Sequence, residues 1–473
     1  MKFCYCYFIF IVIILIKFTN GNSTTAKHVI TDYMMMRLDN FNPQDNRMWK
    51  MRFMYNSFYY QPGGPIIILV QSRRAISAHW LQSSRVTEIA KELNGTMYFF
   101  ENRYFGESKP TTDLAIENLK FLSTSQTLAD LARFVAAVKS KVAGHLGIIV
   151  IGGSYGGIIA TWFRQKYPHL VDGVWSSCAP VLMKLNFYKY RETVSEVVKK
   201  LGGVDCSSKL KTIFVNLPNA ITKDLVKVKR LFGLCDSVDL SNQLNLYKFY
   251  DWVTDIFSGM VQSRRLSISP TCKVLANSTD DLIFLSTLFN QTYRGKKQDI
   301  PYPCMYCGYT KNIDYLKSTS YQTNNRRQNF YQNCAEIGLF HTTDSENQIF
   351  GTLLPVEYYL QMCKNIFGVF NNETLQHYID HTNTVYGGFN LGATNVFSTQ
   401  GELDPWRPLG LQSNANENSP VVVVKGMSHC EDLHQIYSWD PIPVKTVKSK
   451  ALELIKKWLL EVKVTANSNK KKL

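Results

Sequence analysis

Three short runs of the chain are apolar without interruption: residues 65–70 (PIIILV), 97–100 (MYFF) and 148–151 (IIVI). A strand with one face in water alternates polar and apolar positions. A run with no alternation predicts a strand covered on both faces, as in a parallel sheet flanked by helices. Between the second and third runs, Leu128, Leu131, Val135 and Val138 recur at helical spacing and predict an amphipathic helix over 125–142. Strand, helix, strand is therefore the local order. From 182 to 386 the texture changes. Strand-like runs disappear, polar-aromatic stretches such as 321–331 dominate, and cysteines concentrate, predicting an inserted, mostly helical, disulfide-stapled region. Strand signals return at 394–398 (TNVFS) and 420–424 (PVVVV), and an amphipathic helix over about 447–462 closes the chain. The organisation predicted is a leader (1–21), a first sheet-forming part (22–181), an inserted cap (182–386), a second sheet-forming part (387–465) and a basic tail (466–473).

The leader is read from Met1 and Lys2, an apolar run over 3–16, and small or polar Thr19, Asn20 and Gly21. The run of about 14 residues falls short of the ~20 a bilayer span requires, so a secretory signal peptide is the reading over a membrane anchor. Sequons at Asn22, Asn94, Asn277, Asn290 and Asn372 agree with passage through the secretory pathway. Two of the 11 cysteines lie in the leader, and the odd remainder leaves at least one thiol free or paired with another chain. No later segment is apolar for long enough to predict a membrane span. A length of 473 residues exceeds one ordinary core, which agrees with a large domain carrying an insertion.

A formal net charge of +16 raises the question of nucleic acid. The basic residues are scattered, and the one dense run is Lys470, Lys471 and Lys472. No nucleic-acid partner is predicted; the charge favours acidic substrates or anionic surfaces at most.

The chemistry concentrates at three turns. Residues 152–157 (GGSYGG) contain G-x-S-x-G directly after an apolar strand and before a helix-forming stretch (IIATWF). A serine at so sharp a turn needs neighbours without Cβ atoms, and the helix behind it offers backbone N–H groups to an oxyanion. By itself the pattern arises by chance in roughly one chain in six of this length. Its strand-turn-helix context is what selects Ser154 as a nucleophile. In the α/β-hydrolase fold an acid and then a histidine follow the serine, each in a loop after a strand. Asp404, in GELDPW, and His429, in GMSHC, occupy those places. Glu402 and His434 are the competitors within the same loops and fit the strand ends less well. Cys304 and Cys307 form one C-x-x-C without a second pair, so no metal site and no cofactor are predicted.

These segments together resemble the serine carboxypeptidase S28 family. The resemblance covers nearly the whole chain after the leader. Its most specific pieces are 101–108 (ENRYFGES), 118–122 (NLKFL), 153–180 with WFRQKYP inside it, 401–406 and 429–433. It is nearest to the invertebrate thymus-specific-protease-like branch. What it implies is an α/β-hydrolase fold with a helical cap that restricts a serine peptidase to chain ends, with Ser154, Asp404 and His429 as the catalytic triad and the Tyr155 backbone N–H as an oxyanion donor. It also implies disulfides Cys206–Cys272, Cys235 with Cys304 or Cys307, and Cys334–Cys363, leaving Cys178, Cys430 and the remaining one of Cys304 and Cys307 without assigned partners. One departure stands out: Gln71-Ser72-Arg73 replaces a glycine-rich, acidic segment after the first core strand, which predicts a role for Arg73 in substrate binding. The expected function is a secreted or lysosomal exopeptidase acting on peptide substrates. An esterase, or a catalytically silent effector that kept the fold, are the alternatives; a homodimer is compatible with the sequence.

Overall fold

The computed structural model describes residues 28–263, 265–293, 304–305, 308–322, 325–414 and 416–470. The predicted leader, Asn22, Cys307 and the extreme carboxyl terminus lie outside the described residues.

Eight strands form one sheet: β1 (Ile30–Arg37), β2 (Met48–Asn56), β3 (Ile66–Val70), β4 (Thr96–Phe100), β5 (Ile148–Gly153), β6 (Gly173–Ser177), β9 (Val396–Gly401) and β10 (Val421–Val424). Two short strands of the insertion, β7 (Lys184–Asn186) and β8 (Gly338–Phe340), pair in parallel apart from it. The sheet order is β1-β2-β4-β3-β5-β6-β9-β10. All pairings from β4 to β10 are parallel, and the β1-β2 hairpin joins antiparallel at one edge through β4.

Burial on both faces explains the unbroken apolar runs. Ile66, Ile68, Val70 and Val150 pack on one side with Phe134 and Trp162. Ile67, Leu69, Ile149 and Ile151 pack on the other with Ile89, Ile455 and Trp458. At about 1.5–3 kcal/mol per fully buried large side chain, alternate residues of the same strand hold helices on opposite faces. The predicted amphipathic helix runs from Thr124 to Lys141, its first turn capped by the Ser123 hydroxyl, which accepts from Gln126 N.

Register brings the carboxyl ends of the parallel strands level. Val70 lies opposite Gly152, Gly152 opposite Ser176, Ser177 opposite Thr399, and Gly401 opposite Val424. The loops after β3, β5, β6, β9 and β10 therefore emerge along one edge, where sheets of this kind place their sites.

Between β6 and β9 the chain leaves the sheet for a largely helical cap, including Lys189–Gly202, Val204–Lys223 and Gln243–Ser263. Disulfides Cys206–Cys272, Cys235–Cys304 and Cys334–Cys363 staple it. The expectation that Cys178 and Cys430 stand alone is corrected: they are bonded to each other, Cα atoms 5.4 Å apart, because the loops after β6 and β10 meet at the sheet edge. No helix among the described residues is long and apolar enough to cross a membrane.

Candidate active site

Ser154 sits between β5 and the helix Tyr155–Lys166 with φ 56° and ψ −126°, outside the ordinary range of a non-glycine residue. The turn is held because Ser154 N donates to Ser177 O at 2.9 Å and Ile158 N to Ser154 O at 3.0 Å. Glycine is required on both sides. A Cβ on Gly152 would lie 2.1 Å from Gly156 O, and one on Gly156 would lie 2.3 Å from Val70 O. The strand, turn and helix are thus pressed together until only the serine side chain has room to project.

Asp404 Oδ2 lies 2.7 Å from His429 Nδ1. The carboxylate is fully buried and also accepts from Trp406 N at 2.9 Å, which fixes its plane; the imidazole keeps 11% exposure. An aspartate so placed selects the tautomer with Nδ1–H and leaves Nε2 free to take a proton. His429 and Ser154 line the same cavity, of about 340 Å³, with Gln71, Ser72, Arg73, Trp80, Gln262, Cys430 and His434. The competing residues are engaged elsewhere. Glu402 accepts from Lys200 Nζ at 2.7 Å and from Gly426 N at 2.9 Å. His434 stacks on Trp80, centroids 5.3 Å apart, and burial lowers its pKa.

Tyr155 opens the nucleophile helix, so its backbone N–H belongs to the group a helix leaves without an internal partner. Its phenol is buried and accepts from Gln332 Nε2 at 2.9 Å. The loop after β3 is less open-handed. Gln71 N donates to Phe100 O, and the Gln71 side chain folds back, its Oε1 accepting from Ser72 N at 2.8 Å while Nε2 donates to Ala75 O. The two N–H groups nearest the strand end are therefore occupied.

Arg73 reaches across to the cap. Its Nη1 donates to Asn333 Oδ1 at 2.6 Å and Asn329 O at 3.3 Å, and the guanidinium lies 5.4 Å from the centre of the Tyr155 ring. Among the described residues no carboxylate pairs with it, and burial pulls its pKa down against an opposing contribution from Tyr155. Beyond His429 lies an aromatic group shared with the cap: Trp406 lies 6.3 Å from the His429 ring and 4.7 Å from His341, which stacks on Tyr190 at 3.6 Å. Gln262 Oε1 accepts from both Tyr190 Oη and Trp406 Nε1.

Sequence reasoning missed the Cys178–Cys430 bond, Gln262 and Glu336. Glu336 accepts from Thr124 N and Oγ1 at 2.8–3.0 Å at the first turn of a neighbouring helix, two residues from Cys334. Nothing local in the sequence marks these residues, because each acts on a segment far away in the chain. Of the predicted sequons, Asn94 and Asn277 are exposed, whereas Asn290 is half-buried with its amide donating to Leu231 O and Ser286 O. It is the least available of these three to a glycosyltransferase.

Sheet order and the serine at the β5 turn define an α/β-hydrolase, with Ser154, His429 and Asp404 in loops at the carboxyl edge of its parallel strands. The chain belongs to the serine carboxypeptidase S28 family, whose profile matches residues 36–451, and it is a serine peptidase. It is 27% identical over 461 residues (91% of this chain, 88% of the other) to the Caenorhabditis elegans protein K12H4.7. It is 25% identical over 455 residues to the lysosomal Pro-X carboxypeptidase of Mus musculus, covering 91% of this chain and 89% of that one. The thymus-specific serine protease of Mus musculus is 24% identical over 451 residues, 90% and 87% of the two chains. Among solved structures, a proline iminopeptidase of Mycobacterium smegmatis overlaps 92% of this chain and 100% of its own, with 12% identity and a TM-score of 0.39.

Proposed function

We propose that the protein is a serine exopeptidase of the secretory pathway or lysosome, with Ser154 as nucleophile, His429 as base and Asp404 as orienting acid. The observation that carries this is the 2.7 Å contact between Asp404 and His429, on the cavity that also holds the strained Ser154. In the first step His429 Nε2 takes the Ser154 hydroxyl proton as Oγ forms a bond to the scissile carbonyl carbon. The carbonyl electron pair moves onto oxygen, facing the Tyr155 N–H. Collapse expels the amine, which receives the proton from His429, and leaves an acyl-enzyme. Water, deprotonated by the same imidazole, then releases the acid and restores Ser154.

Restriction to a chain end is supported by the cap, which brings Gln262 and Ser263 to the cavity wall. Arg73 supplies a cation on that wall with no carboxylate partner among the described residues. It suits a substrate whose end carries an acidic group, which a guanidinium holds by two parallel hydrogen bonds. A digest of a peptide library with both new termini sequenced, at acidic and neutral pH, tests the reading. Release of single residues or dipeptides from one end supports it; cleavage at internal bonds throughout long peptides contradicts it.

One observation favours a second reading, an enzyme of weak catalytic power. The Ser72 N–H after β3 is occupied by Gln71 Oε1 rather than open to an oxyanion. Removing one oxyanion donor costs about 10²–10³ in kcat. If Gln71→Gly raises kcat, the side chain is the obstruction; an unchanged or lower kcat rejects this second reading.

A further inference from the structure

Of the four disulfides among the described residues, three lie within the cap and one lies at the candidate active site. Cys178 follows β6 directly, is fully buried, and has φ 47° with its N–H donating to Thr399 O at 2.7 Å. Cys430 follows His429 directly, has φ 54°, and lines the cavity that holds Ser154. Cys178 Sγ stands 3.9 Å from His429 Nε2, the nitrogen that must take the serine proton. The residue before Cys178 is equally well placed, since Ser177 O accepts from Ser154 N. The bond thus runs from the strand end that braces the nucleophile to the residue beside the base, across a sequence separation of 252.

Asp404 holds the far nitrogen of the imidazole at 2.7 Å, and further non-covalent restraints lie on either side of His429. Ser428 Oγ donates to Val261 O at 2.6 Å, Arg265 pairs with Glu431 at 2.7 Å, and Asp432 accepts from Ser177 Oγ and Thr399 Oγ1 at 2.5 Å each. Two of these partners, Val261 and Arg265, belong to the cap. Beyond the backbone that continues from β10, the disulfide is, among the described residues, the covalent link between this loop and the end of β6.

We propose that the Cys178–Cys430 disulfide is a positioning element for the catalytic imidazole: it fixes His429 against Ser154 independently of the cap. The proposal rests on the triad reading above. A disulfide facing the substrate cavity is also open to a small dithiol. One thiolate attacks a sulfur of the pair and displaces the other as thiolate. The second thiol of the reductant then resolves the mixed disulfide, so that two electrons pass and Cys178 and Cys430 end as free thiols while the dithiol closes to its cyclic disulfide. Misplacing a catalytic group by about 1 Å lowers turnover by up to about 10²-fold, so loss of the tether acts on kcat rather than on substrate affinity.

The test compares Cys178→Ala/Cys430→Ala with Cys206→Ala/Cys272→Ala, which removes a cap disulfide remote from the cavity. Melting temperature, kcat, KM and the rate of fluorophosphonate labelling at Ser154 are measured for each. The expected result is a kcat and labelling rate lowered ten- to a hundredfold in the first variant, with KM within about twofold, and kcat unchanged in the second. Unchanged kcat in the first variant, or equal losses in both, overturns the proposal. So does peptide mapping of the untreated protein that finds Cys178 and Cys430 both alkylatable. If the first variant fails to fold, dithiothreitol titration of the wild type replaces it. Activity must then fall in step with alkylation of Cys178 and Cys430, and a loss that follows the cap cysteines instead refutes the tether. Turnover surviving Ser154→Ala would remove the triad reading itself, whereas normal kcat without the disulfide removes only the tether.

Discussion

Glu336 ties a protonation equilibrium to the wall of the substrate cavity. Burial pushes its pKa up to about 7 from an ordinary 4.5, and the hydrogen bonds from Thr124 N and Oγ1 only partly oppose that rise. It lies in the π-helical turn Asn333–Ile337, whose first residue holds Arg73. Because the folded chain binds this proton more tightly than the unfolded chain, the associated stability is fully present below about pH 4.5. It is lost as pH rises through about 7. Raising the pKa from 4.5 to about 7 corresponds to about 3 kcal/mol, and the partial exposure of Glu336 reduces the expected effect to about 2 kcal/mol. Glu336→Gln keeps an oxygen acceptor for Thr124 N and removes the titration. Melting temperature measured from pH 4 to 8 for both proteins isolates the effect, since every other titrating group is common to them. The wild type should lose stability relative to the variant between pH 4.5 and 7, with the two curves parallel outside that window. Parallel curves throughout would refute the reasoning.

Three further outcomes are expected. Arg73→Glu should lower kcat/KM for substrates with acidic ends by up to about 2 kcal/mol of transition-state free energy and affect neutral ones less; equal factors for both would show that Arg73 does not read the substrate end. Gly156→Ala places a Cβ 2.3 Å from Val70 O, so strand and helix must separate. Destabilisation of about 1–3 kcal/mol with reduced Ser154 labelling is expected, and a wild-type melting temperature would contradict the packing described. Removing Cys334–Cys363 should cost about 2–5 kcal/mol, checked by chemical denaturation; a loss below 1 kcal/mol would mean that the cap does not depend on this staple.

The sequence carried the parallel core because strands buried on both faces have no polar positions to hide them. It did not reveal β1 and β2. In the ITDYMMMR segment of β1 most residues are exposed, and three adjacent methionines give neither alternation nor a β-branched run. β6 escaped for a different reason. It begins with Gly173 and ends with two serines, yet all five residues are buried, because Ser176 Oγ donates to Gly157 O and Ser177 Oγ to Asp432. Polar residues satisfied by distant partners look like a loop in one dimension. The final helix runs from Ile442 to Lys470, beyond the apolar stripe that announced it. At the site, the order of Ser154, Asp404 and His429 along the chain was legible because each follows a strand. The position of Arg73 against Asn329 and Asn333 was not, since it depends on how the cap folds back over the sheet.

Ser154 is the residue on which the proposed catalysis depends. Wild-type protein and Ser154→Ala, both shown folded by circular dichroism and melting temperature, should be compared by fluorophosphonate labelling with peptide mapping and by kcat on a cleaved peptide. Labelling confined to Ser154 in the wild type and absent in the variant, with kcat lower by about 10⁴ or more, is the predicted result. Equal labelling of the two proteins, or turnover that survives the substitution, would contradict it.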